Sequence, residues 1–273
     1  MPPSLEELHA TKPAGDQPDQ WVFRSPWPRQ LSNAAFERVV MPLIAICAFL
    51  PYFPINHLAL ALPARDLTGA IDRLIPFSPV WELVYVSIYF YIFVLVFYIR
   101  DAHLFRRTVL SFVVIQGTCF VIFLAFPVGI ERPSGLNPGD SFLDWGLALN
   151  YTLDQPRNLF PSLHLANAFM ASLLLLRVQP RVGALAIGWA VLIGYSTMAA
   201  RHHAFADVVA GIVVALLADR LIVAPAITGR RDRALLYPAR YALAVIALYP
   251  VAVLLLYLLW RAGWQPFAWP PAT

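Results

Sequence analysis

The chain has 273 residues, of which 59% are hydrophobic and only 13% are charged, and its formal net charge is +4. Soluble domains carry about 25% charged residues, so the composition excludes an ordinary soluble globular protein and also a disordered one. The positive charge does not indicate nucleic acid, because no basic stripe with interleaved aromatic residues occurs and membrane proteins keep excess arginine in their cytoplasmic loops.

Residues 1–37 are polar and proline-rich and lack the apolar core of a secretory signal, so we expect a cytoplasmic tail. Apolar runs follow, each close to the roughly 20 residues that a membrane-spanning helix needs. The seven predicted spans are 39–62, 79–99, 108–127, 161–177, 182–200, 205–224 and 239–260. Pro51 and Pro54 predict a kink or break in the first span. The pattern predicts an all-α integral membrane protein with a six- to seven-span helical bundle, one transmembrane domain over 38–262 and a short C-terminal tail over 263–273.

The distribution of basic residues predicts the orientation. If the N-terminus is cytoplasmic, 14 of the 20 lysines and arginines lie in the inner segments. Cytoplasmic segments of membrane proteins carry this excess, so we expect the C-terminus outside. The longest connection, 128–160, then lies outside, and a loop of this length is usually functional.

Three of the six histidines stand at the openings of predicted spans. His164 opens the fourth span in the stretch Phe-Pro-Ser-Leu-His, and His202 and His203 open the sixth. In the predicted orientation both openings face the same side as Arg132, which lies in the outer connection. The remaining histidines, His9, His57 and His103, are expected to have no chemical role.

The fourth opening suits a bound phosphate. Pro161 fits the first turn of a helix, where its missing N–H is not needed. The free amides of Ser162, Leu163 and His164 then point outward, with the positive end of the helix dipole behind them. Ser162 adds a hydroxyl donor, and Arg132 can bind two phosphate oxygens with its planar guanidinium.

The sixth opening suits a nucleophile. His203 and Asp207 are four residues apart and share one helix face. Asp207 can accept a hydrogen bond from one ring nitrogen of His203, which leaves the other nitrogen unprotonated and nucleophilic. His164 can give a proton to the leaving oxygen.

Other interpretations remain open from the residues alone. A histidine at a helix start can simply cap the helix or bind lipid headgroups. His164, His202, His203 and Asp207 are also possible zinc ligands, although adjacent histidines point in different directions on a helix. A transporter is a further alternative, since Glu82 lies inside a predicted span. The missing internal symmetry and the mostly uncharged spans argue against it.

These motifs resemble the membrane-bound type 2 phosphatidic acid phosphatase superfamily. Arg132-Pro133 is similar to the end of that family's first motif, and the stretch from Pro161 to His164 to its second. His203 and Asp207 are similar to the end of the third. The resemblance covers roughly residues 70–224.

Two family cations are missing. The family's lysine would fall at Ala125 and its second arginine at Thr197, with Arg201 as a nearby replacement. The adjacent His202 and His203, the lost cations and the stretch from Asp72 to Phe77 look more like the branch of inositol phosphorylceramide synthases and sphingolipid headgroup transferases. A degenerate relative that binds lipid phosphate without catalysis is a further alternative.

The resemblance implies a six-helix core with an extracytoplasmic site. His203 would form a phosphohistidine, Asp207 would orient it, and His164 would protonate the leaving group. Arg132, Ser162 and Arg201 would bind the phosphate oxygens, without a metal or other cofactor. We expect a lipid phosphatase in the cell membrane, or alternatively a headgroup phosphotransferase. Its partners would be a lipid phosphate and membrane lipids, with the oligomeric state left open.

Overall fold

The structure is a computed structural model that describes residues 34–94, 99, 102–227 and 239–267. Most of the predicted tails, 1–37 and 263–273, lie outside these residues. The α-helices of the described part, numbered in chain order, are α1 Ala34–Phe49, α2 Tyr52–Leu60, α3 Ala70–Leu74, α4 Glu82–Val86, α5 Ile88–Tyr91, α6 Ala102–Ala125, α7 Phe142–Leu153, α8 Leu163–Val178, α9 Pro180–Ala199, α10 Phe205–Ala218 and α11 Ala239–Arg261. Among the described residues there is no strand, and the predicted all-α class is confirmed there.

Five helical segments of the described chain are long and apolar enough to cross a membrane, and they fit the predicted integral membrane protein. They are Val39–Leu60, His103–Ala125, Pro180–Ala199, Phe205–Ala226 and Ala242–Arg261. A shorter apolar helix, Leu163–Val178, corresponds to the predicted fourth span. Six of the seven predicted spans therefore have an apolar helix at their positions.

The predicted second span, 79–99, is not one continuous helix. A 3₁₀ turn at Pro79–Trp81 is followed by the short helices α4 and α5. Between them the hydroxyl of Ser87 donates to the carbonyl of Val84 at 2.6 Å, and the backbone N–H of Ser87 donates to the same carbonyl at 3.3 Å. A serine that binds the backbone in this way competes with the regular helical hydrogen bonds. The β-branched and aromatic neighbours also have low helix propensity, which the apolar pattern does not reveal.

The first span has the predicted break. α1 ends at Phe49 and α2 begins at Tyr52, with Pro51 as the N-cap of α2. Pro54 is accommodated in the first turn of α2, where backbone N–H groups have no helical acceptor. The break brings Tyr52 inward, and this residue is buried.

The centre of the molecule is α8, most of whose residues are buried between α6, α9 and α10. α10 approaches α8 unusually closely at Gly211, where a Cβ atom would meet the carbonyl oxygen of Ser162 at 2.5 Å. Only glycine permits this approach. It holds the openings of α8 and α10, which carry the motif histidines, against each other.

The connection 128–160, predicted to lie outside, contains a helix that its sequence pattern did not predict. α7 begins after Ser141, whose hydroxyl accepts the N–H of Asp144 at 3.3 Å. A serine followed three residues later by an acid is a helix-start signal. The helix packs its buried face, including Trp145 and Tyr151, against the rest of the molecule.

Candidate active site

The first opening is built around Ser162, which caps α8 by accepting the N–H of Leu165 on its hydroxyl at 3.3 Å. Pro161 therefore precedes the cap, and the prediction that it lies in the first helical turn is wrong. The N–H of Ser162 donates to the carbonyl of Asp207 at 2.9 Å, so this amide is not free for an anion. The amides of Leu163 and His164 lie in the first turn, where no helical acceptor exists. Their binding of an anion stays a prediction.

The second opening is a tight turn between α9 and α10. Arg201 has a left-handed backbone, with φ of 53°, which reverses the chain. The N–H groups of His202 and His203 then both donate to the carbonyl of Thr197, at 2.8 and 3.1 Å. Asp207 accepts the N–H of Ala204 at 2.8 Å on one carboxylate oxygen. These bonds fix both histidines ahead of α10.

The two motif histidines lie side by side. The ring centroids of His164 and His203 are 5.9 Å apart, with an angle of 59° between the ring planes. A reacting atom sits about 3 Å from its partner before reaction, so one phosphorus group fits between rings at this spacing. His203 is buried and His164 is half-buried.

His203 faces Asp207 across a long contact. The His203 Nδ1 atom lies 3.5 Å from a carboxylate oxygen of Asp207, which is longer than an ordinary hydrogen bond. Neither this nitrogen nor the second carboxylate oxygen has a hydrogen-bond partner among the described residues. Catalytic hydrogen bonds are often long in the free enzyme and tighten with substrate. Because Nδ1 faces the acid, Nε2 is the nitrogen available for a substrate.

Two tyrosines that the sequence analysis did not select contact His164. The hydroxyl of Tyr85 lies 3.0 Å from His164 Nε2, and that of Tyr89 lies 3.4 Å from the same nitrogen. Tyr85 is buried, so its hydroxyl is held in place by packing. No sequence signal links these tyrosines to this histidine.

His202 has a partner of its own. Its Nε2 atom lies 2.7 Å from one oxygen of Glu82, both side chains are buried, and its ring stacks on Tyr85 at 4.2 Å. The other oxygen of Glu82 accepts the side-chain amide of Asn150 at 2.5 Å. Burial and, secondly, the charge of Arg132 lower the pKa of His202 well below its usual value, so the imidazole is neutral near pH 7.

Arg132, predicted as a phosphate ligand, is bound to the C-terminal end of α7. Its guanidinium donates to the carbonyls of Tyr151 and Asp154, at 2.9 and 2.6 Å, and stacks over the Tyr151 ring. Burial lowers the pKa of Arg132, and Asp154 acts in the opposite direction. The Nε atom is buried without a described partner. The structure thus gives this arginine a structural role and leaves its predicted contact with phosphate a prediction.

Arg201 also binds backbone carbonyls. Its guanidinium donates to Asp72 at 3.1 Å and to Ile75 at 2.9 Å, which attaches the turn before α10 to the short helix α3. Its predicted role as a replacement for the missing family arginine stays a prediction. The predicted serine ligand, Ser162, uses its hydroxyl for the cap described above.

Two cavities open beside His164. The first, which we call the apolar cavity, has a volume of about 270 Å³ and lies between α1, α5, α6 and α8. No carboxylate is among its lining residues. The second, which we call the acidic cavity, has a volume of about 440 Å³ and lies between α2, α4, α7 and α11. Glu82 and Asp154 are among its lining residues, and both cavities share Phe49, Tyr89 and His164.

The zinc alternative finds no ligand set in the described part of the chain. There, no group of three or more histidine, cysteine, aspartate or glutamate side chains is placed to hold a metal ion. His202 and His203 have separate acidic partners, Glu82 and Asp207.

Comparison with known proteins addresses the segment that carries these residues. Residues 132–226 match the family model of the PAP2 superfamily. The match contains Arg132, His164, His203 and Asp207, and it agrees with the family that the motifs resemble. No curated protein and no solved structure matches the chain.

Proposed function

We propose that the chain is an integral membrane enzyme that cleaves or transfers the phosphate-linked group of a lipid phosphate, most broadly as a lipid phosphatase. The observation that carries this proposal is the 5.9 Å spacing of His164 and His203 inside a segment that matches the PAP2 superfamily. Members of that superfamily are generally phosphatases. The branch of inositol phosphorylceramide synthases is a narrower form of the same proposal.

In the proposed reaction, Nε2 of His203 attacks phosphorus, and the bond between phosphorus and the lipid oxygen breaks. His164 gives its proton to the departing oxygen, so a neutral alcohol leaves. Asp207 stabilises the positive charge that His203 acquires in the phosphohistidine. Water then attacks phosphorus, His164 takes the proton from that water, and the bond to nitrogen breaks. The amides at the start of α8 and the predicted cations Arg132 and Arg201 would balance the phosphate charge.

A headgroup phosphotransferase is the second candidate, and the two cavities favour it. In that reaction a lipid or polyol hydroxyl takes the place of water. A hydrolase needs one lipid site and a path for water, whereas a lipid-to-lipid transferase needs two lipid sites next to the proton donor. Both cavities reach His164.

The proposal also includes a topology. We place the protein in the cell membrane with its N-terminus in the cytoplasm and a single catalytic domain over 38–262. The site would lie at the extracytoplasmic end of a six-helix core. The support is the excess of basic residues in the inner segments.

The test is a panel of radiolabelled phospholipids incubated with the purified full chain in detergent and EDTA, with and without added diacylglycerol, ceramide or inositol. Release of phosphate and formation of a new lipid are scored separately. We expect turnover by the wild type and by His57→Ala, which alters an exposed histidine, and none above background by His203→Ala. Full activity of His203→Ala would refute the nucleophile, and inactivity of the wild type on every lipid would refute the proposal.

A further inference from the structure

We infer that the acidic cavity is the binding site of a neutral lipid with a free hydroxyl, separate from the site of the anionic lipid phosphate. This inference rests on the proposed function. The lipid would be the acceptor in the transferase form of the proposed reaction. Its tail would lie between α7 and α11, and its hydroxyl would point toward His164.

The two cavities meet at His164 and differ in size. His164 and Tyr89 line both, so a molecule in either cavity reaches the same proton donor. The acidic cavity is the larger of the two, about 440 Å³ against about 270 Å³. Its far walls consist of apolar side chains such as Leu149, Val253 and Leu256. A path for water alone requires neither this volume nor these walls, whereas an acyl chain fits both.

The two cavities also differ in charge. The acidic cavity has Asp154 and Glu82 in its walls, and the apolar cavity has no carboxylate among its lining residues. A phosphate close to Asp154 would suffer repulsion between like charges at low dielectric. The charge of Arg132, whose guanidinium binds the backbone carbonyl of Asp154, offsets part of this repulsion, but Arg132 does not line either cavity. An anionic lipid is therefore disfavoured in the acidic cavity.

The carboxylate of Asp154 also limits the hydrogen bonds that a ligand can make. One carboxylate oxygen of Asp154 accepts the hydroxyl of Tyr52 at 2.7 Å and the amide of Asn56 at 3.3 Å, which hold the side chain in position. A carboxylate has acceptor sites on both oxygens and no donor. It thus suits a ligand that donates, as an alcohol does, and is unsuited to an ester or a phosphate oxygen.

The wall of the acidic cavity has a position without a side chain, at which the cavity can be filled by substitution. Gly146 on α7 lines the acidic cavity, and a Cβ atom there would have no neighbour within 4 Å. We expect a leucine at this position to extend from this open space into the cavity. Gly188 on α9 provides a matched control, because a Cβ there also meets open space and the residue lines neither cavity.

The experiment is photocrosslinking of the full chain in nanodiscs with a diacylglycerol that carries a diazirine on one acyl chain, followed by peptide mapping. We expect labels on α7 and α11, competed by unlabelled diacylglycerol. Gly146→Leu should reduce this labelling at least about tenfold, which corresponds to about 1.4 kcal/mol of binding free energy, and Gly188→Leu should leave it unchanged. Unchanged labelling in Gly146→Leu, or labels confined to the apolar cavity, would overturn the inference.

A second arm tests the charge argument. Phosphatidic acid with the same diazirine should label α7 and α11 weakly in the wild type and more strongly in Asp154→Asn, which keeps the acceptor of Tyr52 and removes the charge. Equal labelling by the two lipids in the wild type would contradict the separation of sites. Because these measurements require no turnover, they separate a wrong assignment of the cavity from a wrong enzymatic function.

Discussion

At the scale of single residues, the site is a chain of contacts that runs from one motif histidine to a carboxyl group outside the motifs. The Tyr85 hydroxyl lies beside His164 Nε2, the Tyr85 ring stacks on His202, and His202 binds Glu82. The buried stack holds His164 at a fixed position relative to His203. We therefore expect Tyr85 to position His164, which is the proton donor of the proposed reaction.

His164→Ala tests that donation. We expect at least about a 10²-fold loss in the rate of lipid phosphate turnover, the usual contribution of a general acid. The loss should be smaller for substrates with better leaving groups, because these depart without a proton. The measurement is turnover of an alkyl and an aryl phosphate by the same variant. Equal losses for both substrates would indicate a structural role for His164.

The buried His202 predicts a pH dependence of stability. Its pKa is lowered in the folded chain, so below the unfolded value of about 6.5 the unfolded chain binds a proton that the folded chain does not. The corresponding stability is present above that pH and is lost as the pH falls toward 5. We expect the Tm in detergent to decrease over this range, and His202→Gln, which can still donate to Glu82, to flatten the decrease.

The control for that series is His103→Gln, because His103 is exposed. The His103→Gln variant should retain the wild-type pH profile. The same profile in His202→Gln would show that the dependence does not arise from His202.

At the scale of helices, the site depends on the close packing of α8 and α10. The openings of these helices share the hydrogen bond from Ser162 to the carbonyl of Asp207, and Gly211 removes the side chain that would separate them. The contact lies directly behind His164 and His203. A small displacement of either helix would change the spacing of the two rings.

Gly211→Ala should therefore reduce both stability and activity. Its Cβ would meet the Ser162 carbonyl at 2.5 Å, and overpacking of this kind costs about 1–3 kcal/mol. Gly188→Ala is the matched control, since its Cβ meets open space and alanine favours a helix. The measurements are Tm in detergent and turnover. If both variants behave alike, the close contact at Gly211 does not hold the site together.

The sequence predicts local features of these helices better than their contacts. The break at Pro51 and the positions of most spans follow from apolar runs and proline chemistry, whereas the caps at Ser141 and Ser162 were not predicted. The pairing of His202 with Glu82 joins residues 120 positions apart, and that of His164 with Tyr85 joins residues 79 apart. Such pairs depend on how helices pack, which no single segment encodes. The apolar composition of 79–99 predicts one continuous span. It gives no sign that the Ser87 hydroxyl donates to the carbonyl of Val84 and competes with the helical hydrogen bonds.

At the scale of the whole molecule, the exposed apolar side chains of the first and last spans fit an integral membrane protein. The first and last spans are the least buried of the five, at 11% of their apolar windows. Their outer faces present large apolar side chains such as Leu43, Leu243 and Leu255. Because α1 and α2 border the cavities on one side and α11 on another, we expect lipid to reach the proposed site from within the bilayer.

The proposed orientation is tested by labelling single cysteines with a maleimide that does not cross membranes. Gly135 lies in the connection 128–160, on the predicted outer side, and a Cβ there would meet open space. Arg181 is exposed in the first turn of α9, on the predicted inner side. In cells, Gly135→Cys should be labelled from outside, because the connection carrying Arg132 faces that side. Arg181→Cys should react only after lysis. The background is a chain with Cys47→Ser and Cys119→Ser, since Cys47 is exposed. The reverse pattern would place the site on the cytoplasmic face, where its lipid phosphate would have to come from the inner leaflet.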